Sequence, residues 1–143
     1  MEELRRQVKY YETDQMGIVH HSNYIRWMEE ARIDFLDRIG YGYAKLENDG
    51  IISPVIGVEC QYKHPTTFDD EVEITVDILE FKGVRLVIGY KMTNCSTGDL
   101  VLEGKSTHCF TDRNGKPIIL KKQFPKLDCL LRNIVSVLAD REN

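Results

Sequence analysis

Asp14 stands three residues before Gly17, and a polar step, His20-His21-Ser22-Asn23, follows before an apolar pattern of helical period begins. A helix start exposes unpaired backbone N–H groups and about half a unit of positive charge. Such an end attracts an oxyanion, and the glycine lets the chain turn sharply, so a carboxylate and an oxyanion site can lie close together. That is the pairing acyl transfer needs. An isolated Asp-x-x-Gly is common turn material, in which the aspartate merely caps the turn. This one is set within Tyr10 to Arg32, YYETDQMGIVHHSNYIRWMEEAR, where the unusual side chains of the whole sequence concentrate.

The elements that must position these groups follow from periodicity. Leu4 to Glu12 reads as a strand delivering the chain to Asp14. The helix is expected from Ser22 or Asn23 to Ile39, with Gly40 placed to stop it. Its apolar stripe is Ile25, Met28, Arg32, Phe35 and Ile39, where the alkyl stem of Arg32 can lie along the buried face. Arg26, Glu30, Asp37 and Arg38 form its outer side. A short second helix fits Tyr43 to Asn48.

Beyond Gly50 the period changes to two. Ile56, Val58, Cys60 and Tyr62 face one way, opposite Gly57, Glu59, Gln61 and Lys63. Val72, Ile74, Val76 and Ile78 alternate with Glu71, Glu73, Thr75 and Asp77, which describes one face on a core and one on water. His64-Pro65 should interrupt pairing, because proline supplies no ladder donor. Lys82-Gly83 turns into Val84 to Asn94, with Val84, Leu86, Ile88, Tyr90 and Met92 as the apolar set. After a second hairpin at Ser96 to Asp99, one face carries Leu102, Gly104, Ser106, His108 and Phe110. Phe124-Pro125-Lys126 starts a final helix whose apolar face is Leu127, Leu130, Leu131, Ile134, Val135 and Leu138. The sum is an α+β layer of antiparallel sheet on helix.

At 143 residues the chain is long enough for one domain, 1–143, with its own core and no need of disulfides or metals. Its 29% charged and 42% hydrophobic residues are ordinary for a globular protein. The net charge of −4 argues against general nucleic-acid binding. Charges near the N-terminus occupy the place of a signal-peptide core, and no stretch is apolar enough to insert into a membrane, so a cytoplasmic location is expected. Cys60, Cys95, Cys109 and Cys129 are scattered without metal or disulfide spacing and read as reduced thiols.

The run Tyr11, Thr13-Asp14, Gly17, Val19, His21, Asn23-Tyr24, Trp27, Glu29 and Ala31-Arg32 resembles the opening segment of hotdog-fold acyl-CoA thioesterases of the 4-hydroxybenzoyl-CoA thioesterase type, including the bacterial Tol-Pal-associated branch. The match extends more loosely to about Ile118. The resemblance implies a curved antiparallel sheet wrapped around a long central helix. It also implies a homodimer joined edge to edge through the sheets, with dimers pairing into a homotetramer.

For the site, the resemblance implies Asp14 as the catalytic carboxylate, acting as base or nucleophile, and the His21 backbone N–H as the group that polarises the thioester carbonyl. The helix dipole favours an ionised Asp14, which agrees with that role. Gly17, Tyr24, Trp27 and Glu29 are candidates for the substrate pocket. Tyr24 and Trp27 are equally well read as core aromatics, and Glu29 as a structural partner of Arg32. Glu29 and Glu30 are also rivals for the catalytic carboxylate, because other hotdog branches use an acidic residue on the central helix; the Asp14 motif is the more specific match.

Phosphates of coenzyme A need cations near the site. Lys63, Lys82, Arg85 and Lys91 are candidates, against the alternative of a solvated sheet face. Adjacent histidines on extended chain point oppositely, so His20 and His21 are not expected to share a metal. No cofactor is expected, since coenzyme A is part of the substrate. An acyl carrier protein is the alternative thioester donor, and a non-catalytic acyl-CoA binding module the alternative of another class. Gln15-Met16 and Ser22 depart from the family pattern beside the proposed pocket, where they bear on the acyl group accepted.

Overall fold

A computed structural model describes residues 3–142, with side chains through Val135. A five-stranded antiparallel sheet runs in the order β1-β3-β4-β5-β2, built from β1 (Leu4–Gln7), β2 (Val55–Tyr62), β3 (Glu71–Phe81), β4 (Leu86–Asn94) and β5 (Leu100–His108). Among the described residues four α-helices accompany it: α1 (His21–Arg38), α2 (Tyr43–Asn48), α3 (Leu120–Gln123) and α4 (Pro125–Glu142). Contacts divide the chain into two compact units. The first holds the residues through Phe35 with Cys60–Val76 and Tyr90–Gly104, and the second holds the remainder.

In the first unit β1 pairs antiparallel with β3, Leu4 opposite Ile74 and Gln7 opposite Glu71. The alternation expected for β3 is present, with Val72, Ile74 and Val76 buried between more exposed neighbours. β1 is shorter than the strand expected to reach Glu12. Tyr10–Glu12 instead form a 3-10 turn, closed by the Glu12 N–H on the Lys9 carbonyl at 2.9 Å and by the Lys9 N–H on the Glu12 carboxylate at 2.8 Å.

The stripe of α1 is displaced from expectation. Tyr24, Trp27, Met28, Ala31 and Phe35 are buried, and Arg32 with them, whereas Ile25 is 42% exposed. At 100° per residue Ile25 falls about 100° from the middle of that buried stripe. Arg26 and Glu30 are exposed as expected.

In the second unit α1 ends on a Schellman motif. The Gly40 N–H reaches the Asp37 carbonyl at 3.1 Å, the Tyr41 N–H reaches Leu36 at 3.1 Å, and Gly40 has φ +88°. The turn into β4 runs longer than expected, so the strand begins at Leu86 and Val84 is 46% exposed. Leu127 and Leu131 bury the face of α4, while Leu130, Ile134 and Val135 are half-buried. The side chain of Leu138 lies outside the described residues.

β2 departs most from expectation. It is an edge strand with every position exposed or half-buried, so its apolar residues Val55, Ile56, Val58 and Tyr62 do not form an inward face. All four cysteines are free. Among the described residues no helix is long and apolar enough to cross a membrane.

Candidate active site

Asp14 opens a tight hairpin. Its N–H donates to the Ile18 carbonyl at 2.8 Å, the Gly17 N–H returns to the Asp14 carbonyl at 3.0 Å, and Thr13 bridges Val19. Gly17 has φ +79°, the left-handed region that suits a residue without a Cβ. Oδ1 of Asp14 accepts the Met16 N–H at 2.8 Å. That is the capping duty of an ordinary Asx turn. It also fixes the carboxylate while leaving Oδ2 without a partner among the described residues.

The other half of the site is the start of α1. His20 caps the helix: its ring Nδ1 accepts the Ser22 N–H at 3.2 Å, and its carbonyl accepts the Asn23 N–H at 3.0 Å. The helix therefore begins at His21, just before the expected start at Ser22 or Asn23. With those two amides taken, the His21 N–H has no acceptor among the described residues. It is one of the open donors every helix start must place somewhere. The histidine rings do not oppose each other as an extended chain would require. They stack with centroids 4.3 Å apart and planes at 28°, because the backbone turns into the helix between them.

Asp14 and His21 line one cleft of about 360 Å³, together with Ile18, Val19, Tyr24, Tyr62, Lys63, His64 and Pro65. All of these residues belong to the first unit. The rings of Tyr24 and Tyr62 lie 5.8 Å apart, and His21 meets Tyr62 edge-on at 6.4 Å. Burial pushes both phenols above their ordinary pKa, so this wall is uncharged at neutral pH. The Tyr24 hydroxyl is held by the buried Thr66 hydroxyl at 2.8 Å. His64, read from sequence only as part of a strand break, shares this lining. Its Nδ1 lies 2.9 Å from the Leu100 carbonyl. A carbonyl only accepts, so Nδ1 is the donor in this contact.

Of the residues singled out from sequence, the cleft brings together Asp14, His21, Tyr24 and Lys63. Gly17 shapes the turn without lining the cleft. Trp27 is fully buried, and its indole N–H is committed to Glu12 at 2.7 Å. Glu29 is exposed on α1 and does not line the cleft. Glu30 holds Arg6 at 2.7 Å. Lys82 and Arg85 lie in the β3–β4 turn and Lys91 on an exposed position of β4, none of them lining the cleft.

Glu12 was not singled out from sequence. It is 3% exposed, and its carboxylate accepts Arg6 Nη1 at 2.6 Å, the Trp27 indole at 2.7 Å and the Lys9 N–H at 2.8 Å. Burial alone would raise its pKa. The hydrogen bonds from Arg6, Trp27 and Lys9 outweigh that and hold it below the ordinary carboxyl value. The sequence signal that could have found it is an acid two residues before Asp14, within reach of Arg6 on the preceding strand.

Residues 8–132 match the Thioesterase-like superfamily. The Bacillus subtilis protein named "Putative acyl-CoA thioesterase YneP" is 37% identical over 120 residues, covering 83% of this chain and 86% of that protein. The solved structure of the DHNA-CoA thioesterase from Staphylococcus aureus superposes with a TM-score of 0.91 at 30% identity, covering 99% of this chain and 94% of that one. That of the gentisyl-coenzyme A thioesterase BH1999 superposes with a TM-score of 0.76 at 27% identity, covering 82% and 94%. The sheet order, the long α1 and these likenesses identify the fold as the hotdog fold. The chain belongs to the thioesterase-like superfamily and is a thioester hydrolase.

Proposed function

We propose that this chain hydrolyses the thioester of an aromatic acyl-CoA, releasing the free acid and coenzyme A. The observation that carries the reading is that Asp14, with one carboxylate oxygen unengaged, and His21, with its N–H unengaged, line the same cleft. In this reading the thioester carbonyl accepts the His21 N–H, which stabilises the oxyanion as the carbonyl carbon becomes tetrahedral. Asp14 either takes a proton from the attacking water or attacks the carbonyl itself, forming an acyl-aspartate that water then opens. In both routes the C–S bond breaks and the electron pair leaves with sulfur.

The aromatic preference is supported by the neutral wall of Tyr24 and Tyr62, and by similarity to thioesterases named for dihydroxynaphthoyl and gentisyl groups. Lys63, the lysine of the cleft, is the proposed contact for a phosphate of coenzyme A. The exposed apolar edge strand β2 is the proposed seam of a homodimer, since an uncovered edge of this kind invites pairing.

The test is thiol release from a panel of aromatic and aliphatic acyl-CoAs, with wild type and Asp14→Asn side by side. The reading expects aromatic thioesters to turn over faster, and the variant to lose on the order of a hundredfold or more in kcat while remaining folded. A folded Asp14→Asn enzyme with wild-type turnover would remove Asp14 from the chemistry. Activity confined to acyl carrier protein thioesters would replace coenzyme A as the donor.

A further inference from the structure

Two groups must meet one thioester carbonyl, and they lie on different elements: Asp14 on a hairpin, the His21 N–H at the start of α1. What fixes one relative to the other is the residue where that hairpin leaves the preceding turn. The Glu12 carbonyl accepts the His20 N–H at 2.9 Å and the Asn23 side-chain amide at 2.9 Å. Its side chain meanwhile grips Trp27 one turn further along α1, Arg6 on β1 and the Lys9 N–H. Arg6 is in turn held by Glu30 and lies 4.7 Å from the Trp27 ring centroid. One residue thus ties the hairpin base to both of the first two turns of the helix: it lies two positions before Asp14, and its carbonyl holds His20, the residue before His21.

We propose that Glu12 is a positioning residue for hydrolysis, holding the Asp14 carboxylate at the distance from the His21 N–H at which both reach the same carbonyl. The inference rests on the proposed roles of Asp14 and His21. A role in stability alone explains it poorly. A buried ion pair contributes little net stability compared with well-packed apolar side chains, whereas directional hydrogen bonds from Arg6 on β1, from the Lys9 and His20 N–H groups, and from Asn23 and Trp27 on α1 determine a geometry. Misplacement of a reacting group by about 1 Å costs on the order of a hundredfold in rate.

The test is a double-mutant cycle of Glu12→Gln and Asp14→Asn, read as kcat and KM at high enzyme concentration, with circular dichroism to verify folding. Glutamine keeps the shape but presents one acceptor and an unwanted donor to Arg6 or Trp27. The expected result is a fall in kcat of about tenfold or more in the Asp14 enzyme with KM changed less than about twofold. In the Asp14→Asn background the same substitution should cost less than about twofold, because the group it positions is already gone. Equal losses in both backgrounds, or a loss confined to KM, would overturn the proposal. If Glu12→Gln does not fold, Trp27→Phe replaces it in the same cycle, since it removes the indole N–H bonded to Glu12 while keeping an aromatic side chain in the core; any loss from the smaller ring is common to both backgrounds, so the same non-additivity is expected and additivity overturns it. Wild-type turnover by Asp14→Asn alone would instead defeat the reading on which the inference rests, and that single variant reveals it.

Discussion

The Glu12 carbonyl accepts the His20 backbone N–H at 2.9 Å, which closes residues 12 to 20 into a loop seated on the start of α1. Asp14 lies just inside one end of that loop and the open His21 amide just outside the other. The catalytic geometry proposed above is therefore a property of a short hairpin and of whatever keeps its backbone in register.

Gly17 is the first place where that register can be probed. A Cβ added there meets nothing within 4 Å, so the burden of a substitution is its φ of +79° alone. Gly17→Ala should cost roughly 1–2 kcal/mol and lower Tm by a few degrees. It should lower kcat beyond what unfolding explains, by displacing Asp14. Gly17→Asn, which tolerates the left-handed region, should recover most of both. Thermal melts and kcat for the pair check this; an Asn variant as damaged as Ala would point to a cause other than backbone conformation.

Lys63 gives a test of where the nucleotide end of the substrate lies. Lys63→Ala should raise KM for an acyl-CoA about two- to fivefold, the range of an exposed ion pair, with kcat little changed. The corresponding acyl-pantetheine thioester lacks the nucleotide phosphates, and its KM should not move. A rise in KM for both would place Lys63 against the acyl or pantetheine portion.

Much of this was legible from sequence because it is local. The alternation of Val72 to Ile78, the glycine stop at Gly40 and the bounds of α2 each depend on neighbours within a few residues, and each is found where periodicity placed it. Asp14 and an oxyanion site at the helix start were legible as a spacing, while His21 was named through the family resemblance. Glu12 was not, because its significance lies in Arg6, Asn23 and Trp27, which approach it from three directions. His20 was missed as a helix cap because that duty is usually given to Ser, Thr, Asp or Asn. The faces of β2 were misjudged for a different reason: alternation reports which residues could be buried, and an edge strand buries them only against something beyond this chain.

The lowered pKa of Glu12 has a consequence for acid stability. Its folded pKa lies below the ordinary value of 4.5, so the folded state binds its proton less readily than the unfolded chain. The stability this contributes is complete above the unfolded value and is lost as pH falls through the folded one. Denaturant melts from pH 7 to pH 3 should therefore show wild type and Glu12→Gln converging below about pH 4.5. A difference that stays constant over that range would mean the carboxylate charge is not what stabilises the site.

Tyr41 makes the opposite case at alkaline pH, in the second unit. Burial, and then the hydrogen bond its hydroxyl donates to Asp49 Oδ2, push its pKa from 10 up to about 12. Both causes favour the neutral phenol: ionising it would place a second negative charge beside Asp49, and the Lys45 ammonium 4.4 Å from the ring centroid does not offset that. Because the folded pKa is the higher one, the stabilisation is complete below pH 10 and is lost as pH rises toward 12. Stability measured across that interval should fall in wild type, and the part due to Tyr41 should be absent from Tyr41→Phe. In a spectrophotometric titration the same variant should remove the tyrosine that ionises near pH 12. Loss of a tyrosine that ionises near pH 10 would instead show that the Asp49 contact does not hold the proton in solution.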